Sequence, residues 1–252
     1  MTTLPIEQID LIERLAAAAW PAETVAYRAG WRLRTASAPN RRVNSVLPLG
    51  PAPDGSTAEH VAEIEQFYRA LDRRPRFQVS PAVEPTDLDT MLLRRGYVVE
   101  TPVLVQISPL APIATAPVVG QVRLDGEADA AWMGGAWPDG TVAETAGRRA
   151  LLERIKPRHR FATVLREGEP AAVALGVLEA EWLGIFCMCT ASSHRRKGAA
   201  QAALICLARW AGDLGAQSTY LQVEVENLPA ISLYEKLGYR TAYTYHYRTA
   251  AP

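Results

Sequence analysis

The stretch best equipped for chemistry is a short basic loop, Arg195-Arg-Lys-Gly198, which leads into a run of small and apolar residues. An apolar segment, Ile185–Met188, precedes it, and apolar residues recur at helical spacing from Ala200 to Leu214. This order predicts a strand, a loop and a helix N-terminus, where the first backbone N–H groups lack intrahelical partners and the helix dipole adds positive charge. Because Gly198 and the two alanines after it carry almost no side chain, a phosphate can approach those groups closely. The alternative is an ordinary helix that begins after a solvated run of basic residues.

A second segment downstream favours the phosphate site over that alternative. Leu221–Val225 alternates as a strand and is followed by Glu226-Asn227. A short helix is then predicted from Pro229 to Leu237, and Gly238-Tyr239 ends it. The two segments come in a fixed order, separated by one helix and one strand.

Together these segments resemble the two cofactor motifs of the GNAT superfamily of N-acetyltransferases. The family's Arg/Gln-x-x-Gly-x-Gly/Ala motif is matched by Arg195, Gly198 and Ala200. Its second motif is matched by seven residues: Asn227, Ala230, Leu233, Tyr234, Lys236, Gly238 and Tyr239. The close match covers roughly residues 185 to 248.

The resemblance implies acetyl-CoA as cosubstrate and assigns the groups that would hold it. Backbone groups of Met188, Cys189 and Thr190, where the strand leaves its neighbour, would grip the pantetheine arm and polarise the thioester carbonyl. Asn227 would hydrogen-bond the same arm. The pyrophosphate would be bound by backbone N–H groups of Arg195, Arg196, Lys197, Gly198, Ala199 and Ala200.

Two further residues are candidates for proton transfer. In the family, the position of Tyr234 usually lies near the thioester sulfur and protonates it, and an ordinary tyrosine pKa of about 10 suits that task. The alternative for Tyr234 is a ring that packs against the sheet. Glu181 is the candidate general base, with Glu179 and Glu224 also considered; each of the three is otherwise a solvated carboxylate.

The resemblance also suggests where the acceptor binds. Helices are predicted at 125–136 and 141–155, and in the family these helices and their connection line the acceptor site. That would place Trp132, Trp137, Pro138 and Asp139 near the substrate. Core packing is the alternative for the tryptophans, and we expect it for at least one of them.

Composition excludes several other classes of protein. The 252 residues are 48% hydrophobic and 21% charged, with a formal net charge of zero, which describes a globular protein and gives no support to a nucleic-acid partner. No apolar run approaches the ~18–20 residues that span a bilayer, and the N-terminus does not resemble a signal peptide, so a cytoplasmic location is expected. The three cysteines have neither disulfide nor metal-ligand spacing, which indicates reduced thiols and no metal site.

The N-terminal half repeats the element order of the C-terminal half. Phe77-Gln-Val79 leading to Gly96-Tyr97 parallels Leu221-Gln-Val223 leading to Gly238-Tyr239, which indicates a diverged internal repeat. The predicted fold class is α/β, with two tandem GNAT-like lobes, each a mixed, mostly antiparallel sheet flanked by helices. The predicted domains are a degenerate lobe (1–108), a proline-rich linker (109–117) and a catalytic domain (118–252).

The first half is expected to lack cofactor binding. Its loop, 50–57, has no Arg-x-x-Gly-x-Ala pattern and contains Pro51 and Pro53, which donate no backbone N–H. Thr57 is predicted to cap the helix that follows this loop, and the later helix, 87–95, has no tyrosine where Tyr234 stands in the second half.

The sequence thus predicts an acetyl-CoA-dependent N-acetyltransferase that transfers the acetyl group to a primary amine by direct attack in a ternary complex. The acceptor is a small-molecule amine or a protein amine, and the protein is a monomer or homodimer without nucleic-acid or membrane partners. One alternative is a module that binds acetyl-CoA without turnover. Another is an enzyme that uses a larger acyl-CoA.

Overall fold

The computed structural model describes residues 4–28, 30–38, 40–50, 55–100 and 102–251. The helices of the first half are α1 (Ile6–Ala19), α2 (Thr57–Ala70) and α3 (Leu88–Arg94). Its strands are β1 (Thr24–Arg28), β2 (Trp31–Thr35), β3 (Val46–Leu47), β4 (Arg76–Val79), β5 (Val98–Val99) and β6 (Val103–Pro109).

The second half begins with a short helix and then alternates strands and helices. Its helices are α4 (Ala111–Ala114), α5 (Ala130–Ala136), α6 (Val142–Leu152), α7 (Ala199–Gly212) and α8 (Leu228–Lys236). Its strands are β7 (Gln121–Asp125), β8 (Arg158–Arg166), β9 (Glu169–Glu179), β10 (Trp182–Thr190), β11 (Ser218–Glu224) and β12 (Arg240–Thr249). The predicted α/β class with mostly antiparallel strand pairing is confirmed.

The chain divides into two compact units, and each receives a strand from the other half of the sequence. The first unit comprises residues 1–104 and 242–252, so it includes most of β12; the second comprises 105–241 and includes most of β6. The predicted domain limits, 1–108 and 118–252, differ from the bounds of these two units and remain a prediction. The segment 109–117, predicted as a linker, carries the end of β6 and helix α4, whose Ile113 is buried.

In the first unit the strand order is β1-β2-β3-β4-β12. β3 and β4 run parallel, with α2 as the crossover between them, whereas the other pairs are antiparallel. The apolar core gathers around Trp31, Phe77 and Tyr68, all essentially buried. The loop prolines Pro51 and Pro53 lie outside the described residues.

The interior of the first unit also contains a connected set of buried polar side chains. Arg34 donates to Gln78 Oε1 (2.9 Å), Gln78 donates to the Glu13 carboxylate, and Tyr243 donates to Glu13 Oε1 (2.8 Å). These four side chains are at most 6% exposed. Burial raises the pKa of Glu13 to about 7, with the hydrogen bond from Tyr243 acting in the opposite direction.

In the second unit the strand order is β7-β8-β9-β10-β11-β6. β10 and β11 are parallel and α7 is their crossover, while β7 through β10 pair antiparallel. A Cβ on Gly176 would lie 2.9 Å from Leu207 of α7, and a Cβ on Gly135 of α5 would lie 2.8 Å from Val173. Since Val173 and Gly176 are three positions apart on β9, an odd offset, they face opposite sides of the strand and the two helices cover opposite faces of this sheet.

Candidate active site

The candidate site lies where two parallel strands of the second unit separate. The pairing of β10 with β11 runs from Trp182↔Ser218 to Ile185↔Leu221 and stops there, although both strands continue. β10 remains paired to β9 on its other edge, through Thr190↔Ala172. The backbone from Phe186 to Thr190 therefore presents one edge that β11 does not use.

A β-bulge falls at the start of this separated segment. The β9 register shifts between Phe186↔Leu175 and Cys189↔Val173, so two residues of β10 oppose one of β9. Cys187 has a φ of 50°, in the left-handed region. Because a bulge bends a strand and re-aims its groups, it redirects the backbone at Cys187 and Met188, and regular pairing with β9 resumes at Cys189 and Thr190.

The basic loop follows β10 directly and ends at the start of α7. Ser192–His194 forms one 3-10 turn, and the loop then takes left-handed φ values of 58° at Arg196 and 80° at Gly198. Gly198 is the N-cap of α7, and it receives no side-chain cap. A Cβ on Gly198 would meet no atom within 4 Å, so the space beside the first helical turn is open. Arg195, Arg196 and Lys197 are exposed.

Asn227 lies at the corresponding end of β11 and caps the next helix. Its Oδ1 accepts from the backbone N–H of Ala230 at 3.3 Å, at the start of α8. The oxygen of the amide is therefore used by the helix. The exposed side chain retains its Nδ2 as the group that could donate to a ligand.

Helix α8 positions Tyr234. The residue is 6% exposed, and its ring packs against that of Tyr239, with 5.8 Å between the centroids. Among the described residues, no side chain or backbone group hydrogen-bonds the Tyr234 hydroxyl. Burial raises the pKa of Tyr234 to about 12, so the hydroxyl keeps its proton.

Glu181 does not lie with the other predicted site residues. It precedes β10 at the end where the β10–β11 pairing begins, and its carbonyl accepts from the backbone N–H groups of Gln217 and Ser218. Six residues of extended strand, about 20 Å at ~3.3 Å per residue, separate it from Cys187. Glu179 lies at the same far end, whereas Glu224 closes β11 at the end where the strands have separated.

Sequence comparisons decide the family. Residues 7–248 match a family model described as the probable histone acetyltransferase Rv0428c C-terminal region. A curated relative, the uncharacterized N-acetyltransferase YobR of Bacillus subtilis (strain 168), is 30% identical over 254 residues, covering 96% of this chain and 99% of that protein. The chain belongs to the GNAT superfamily of N-acetyltransferases.

Solved structures show the same fold at lower sequence identity. A GCN5-related N-acetyltransferase from Kribbella flavida superposes with a TM-score of 0.70 at 14% identity, covering 100% of this chain and 97% of that one. A tandem GNAT protein from the clavulanic acid biosynthesis pathway superposes with a TM-score of 0.65 at 14% identity, over 97% of this chain and 88% of that one. The fold is therefore that of two tandem GNAT-like units. The family model and the Bacillus subtilis relative show that the protein is an N-acetyltransferase.

Membership of the GNAT family implies use of acetyl-CoA, and the second unit has features that fit this molecule. The α7 N-terminus lacks a side-chain cap and has open space beside Gly198, as an approaching pyrophosphate requires. The separated edge of β10 offers backbone groups to an amide-containing arm. Asn227 and Tyr234 both belong to α8 and its cap, which follows β11.

The helices that line the acceptor site in other GNAT proteins are divided here between core and surface. Trp132 is fully buried, its Nε1 donates to the Ala174 carbonyl at 3.1 Å, and it packs on Phe161, which confirms core packing for this tryptophan. Trp137 is half-buried, with the Arg148 guanidinium 5.1 Å from its ring centroid. Pro138 and Asp139 are exposed in the loop between α5 and α6.

The cysteines of this GNAT protein are free thiols and are all half-buried. Burial raises the pKa of the Cys189 thiol, an effect that the Arg195 charge partly opposes. Within the described ranges, no group of three or more His, Cys, Asp or Glu side chains could hold a metal ion. Among the helices described, none combines the length and apolar character needed to cross a bilayer.

One contact of the GNAT loop was missed by the sequence analysis. Arg166, at the end of β8, donates from Nη2 to the Lys197 carbonyl at 2.9 Å. The two residues are 31 positions apart, and no motif connects them. Only the pairing of β8 with β9, and of β9 with β10, brings the arginine to the loop.

Proposed function

We propose that this chain transfers the acetyl group of acetyl-CoA to a primary amine, by direct attack of the amine in a ternary complex of the enzyme and both substrates. The observation that carries the proposal is the uncapped start of α7 beside the separated edge of β10. Acetyl-CoA supplies the activated carbonyl carbon that the amine attacks. The chain itself supplies binding, orientation and one proton.

Binding is assigned to backbone groups of β10 and the loop. The backbone of Met188, Cys189 and Thr190 holds the pantetheine arm, and an N–H group at the bulge polarises the carbonyl. Asn227 donates to the same arm from Nδ2. The pyrophosphate is bound by N–H groups in the segment Arg195–Ala200, where the helix dipole and three basic side chains favour an anion.

Tyr234 is assigned the proton that the departing thiolate requires. Its hydroxyl stays protonated because its pKa is raised to about 12, and no described group competes for it as a hydrogen-bond partner. Because a thiolate whose conjugate acid has a pKa of ~8.5 is a weaker base than a tyrosinate, proton transfer from Tyr234 is unfavourable by itself. The proton that the amine loses on becoming an amide returns to Tyr234, directly or through solvent, and balances each turnover. Glu181 is given no role, because it lies at the far end of β10.

The cofactor site is proposed for the second unit alone, with the first unit as a degenerate partner that completes the chain's fold. The acceptor class is an amine on a small molecule or on a protein. The protein acceptor is kept because the description of the matching family model names a probable histone acetyltransferase.

The proposal is tested by measuring thiol release from acetyl-CoA across a panel of amines. The panel includes amino acids, polyamines and lysine peptides. We expect at least one amine to accelerate thiol release over the buffer rate, with acetylated amine formed in equal amount. Tight binding of acetyl-CoA without acceleration by any amine would instead support a binding module. Faster thiol release from a longer acyl-CoA than from acetyl-CoA would identify the longer thioester as the donor instead.

A further inference from the structure

The contact between Arg166 and the Lys197 carbonyl fixes one peptide group of the loop. The Nη2–O distance is 2.9 Å, and the carbonyl belongs to the last residue before the N-cap of α7. The first intrahelical bond is accepted one residue later, by the Gly198 carbonyl from Ala202 N–H at 3.0 Å. The helix therefore does not itself orient the Lys197 carbonyl.

Because the Lys197–Gly198 peptide group is planar, holding the Lys197 C=O also fixes the direction of the Gly198 N–H. In a planar trans peptide the C=O of one residue and the N–H of the next point in opposite directions. With the Lys197 C=O held toward Arg166, the Gly198 N–H points away from Arg166. It is then available as a donor in the loop where an anion would bind.

Gly198 makes such a restraint necessary. Glycine adopts positive and negative φ about equally well, so the Lys197–Gly198 peptide can rotate between two orientations at little cost. The observed φ of 80° is one of them. In the other, the carbonyl oxygen would replace the N–H donor and would repel a phosphate.

Arg166 is itself held in place. β7 pairs with β8 through Gln121↔Leu165, and a Cβ on Gly120 would lie 3.9 Å from the Arg166 guanidinium. Its Nε is buried and, among the described residues, has no hydrogen-bond partner. The half-buried side chain thus lies between the Gly120 turn and the loop, and its bond to the Lys197 carbonyl is the polar contact that orients it.

We propose that Arg166 is a positioning residue for the pyrophosphate loop: it orients the Lys197–Gly198 peptide so that the Gly198 N–H donates to the diphosphate. This inference rests on the proposed function, because it assumes that the loop binds the diphosphate of a CoA thioester. Arg166 acts through the loop backbone and does not contact the reacting atoms.

The test compares Arg166→Met with the full-length wild type by calorimetric titration with CoA. We expect the dissociation constant to rise about tenfold, because one charge-assisted hydrogen bond loses its preferred geometry. Arg158→Met, on the exposed opposite end of the same strand, is the matched control and should change it by less than twofold. Arg166→Lys restores one donor and should recover affinity to within about threefold of the wild type.

Two truncated ligands separate positioning from other roles. Dephospho-CoA keeps the diphosphate but lacks the 3′-phosphate, and we expect the same tenfold loss with it; a loss confined to CoA would make Arg166 a direct ligand of the 3′-phosphate. S-acetyl-pantetheine lacks the diphosphate, and Arg166→Met should leave its kcat/KM unchanged within twofold. An equal loss with this donor would mean general disruption of the site and would overturn the inference.

Failure of this inference is distinguishable from failure of the proposed function. If the wild type does not bind CoA, the proposed function is wrong, and the role of Arg166 falls with it. If the wild type binds CoA and Arg166→Met binds it equally well, only the role of Arg166 is wrong.

Discussion

The two units begin their crossover helices in opposite ways. α2 and α7 each connect two parallel strands, β3 to β4 and β10 to β11. At α2, Ser56 accepts from the Glu59 N–H and the Glu59 carboxylate accepts from the Ser56 N–H, a complete capping box. At α7, Gly198 provides no side-chain cap. The first unit satisfies a donor of its helix start with a side chain and adds a negative charge there, whereas the second has no side-chain cap at its helix start.

The C-terminal ends of α3 and α8 have the same backbone geometry but differ at one side chain, at the position of Tyr234. Tyr97 N–H bonds the Leu92 carbonyl and Tyr239 N–H bonds the Tyr234 carbonyl, both at 3.0 Å. The glycines before these tyrosines, Gly96 and Gly238, have φ values of 80° and 90°. The backbone turn is therefore the same in both units. Where the second unit has a phenol, the first has Leu92, which cannot transfer a proton.

The largest expected effect comes from giving α7 an acidic group like the one at α2. Gly198→Glu should weaken binding of acetyl-CoA at least about a hundredfold, because a carboxylate beside the diphosphate is repulsive and a non-glycine residue at this φ is strained. Gly215→Glu is the matched control, since Gly215 also has a positive φ (94°) and no atom within 4 Å of a Cβ. Calorimetry checks both; a folded Gly198→Glu variant with near-normal binding would contradict the site assignment.

The buried polar network of the first unit predicts a pH-dependent stability. The folded-state pKa of Glu13, about 7, is above its unfolded value of 4.5, so the folded state binds the extra proton between these values. The contribution of protonated Glu13 to the free energy of unfolding is therefore complete below about pH 4.5. It is lost as pH rises through 7, by up to ~3 kcal/mol. Glu13→Gln should remove this dependence, as measured by urea unfolding between pH 5 and pH 8. If Glu13→Gln and the wild type show the same change in the free energy of unfolding between pH 5 and pH 8, Glu13 is not the source of that change.

Tyr234→Phe tests whether the phenol near the end of α8, which the first unit lacks, donates a proton. The variant keeps the ring packing on Tyr239 but loses the proton donor, so kcat should fall at least about tenfold while the dissociation constant for acetyl-CoA stays within twofold. Because the pKa of Tyr234 is about 12, the hydroxyl should cause no alkaline loss of activity below about pH 10. Initial rates from pH 6 to 10, with calorimetry alongside, test both points. Wild-type turnover in the phenylalanine variant would remove Tyr234 from the chemistry.

The smallest expected effect concerns the α2 cap. Ser56→Ala should lower the free energy of unfolding by about 1 kcal/mol, because the cap bond to the Glu59 N–H is lost. Thr57→Ala, one residue on, should cost less than about 0.5 kcal/mol, since among the described residues the hydroxyl of half-buried Thr57 bonds Asp87 alone, in a solvent-exposed contact. Neither change should alter binding of acetyl-CoA. Urea unfolding gives the two values, and a larger loss for Thr57→Ala would contradict the assignment of Ser56 as cap.

Local features of the site were predictable from the sequence because they depend on neighbours along the chain. Gly198 followed by two alanines and a helical apolar stripe predicted the helix start, and Gly238-Tyr239 predicted the end of α8. The α2 cap was displaced by one residue, from Thr57 to Ser56, because Ser56 with Glu59 forms the complete capping box. Pro112 in the expected linker lies in the first turn of α4, where a proline is tolerated.

Features that depend on strand pairing were not predictable. The bulge at Cys187 requires the β9 register, and the contact of Arg166 with Lys197 joins residues 31 positions apart. Glu181 is close to the site's strand in sequence, but pairing places it at the opposite end. The pattern of one strand cannot tell which end separates from its neighbour, since the alternation of side chains is the same at both.

The central claim is that two units of one fold provide one cofactor site. Calorimetric titration of the wild-type chain with acetyl-CoA, counting sites per chain, tests it most directly. The account predicts one site, which Gly198→Glu eliminates and Gly215→Glu does not. Two sites per chain would contradict the degenerate first unit, and no binding at millimolar acetyl-CoA would contradict the acetyltransferase site itself.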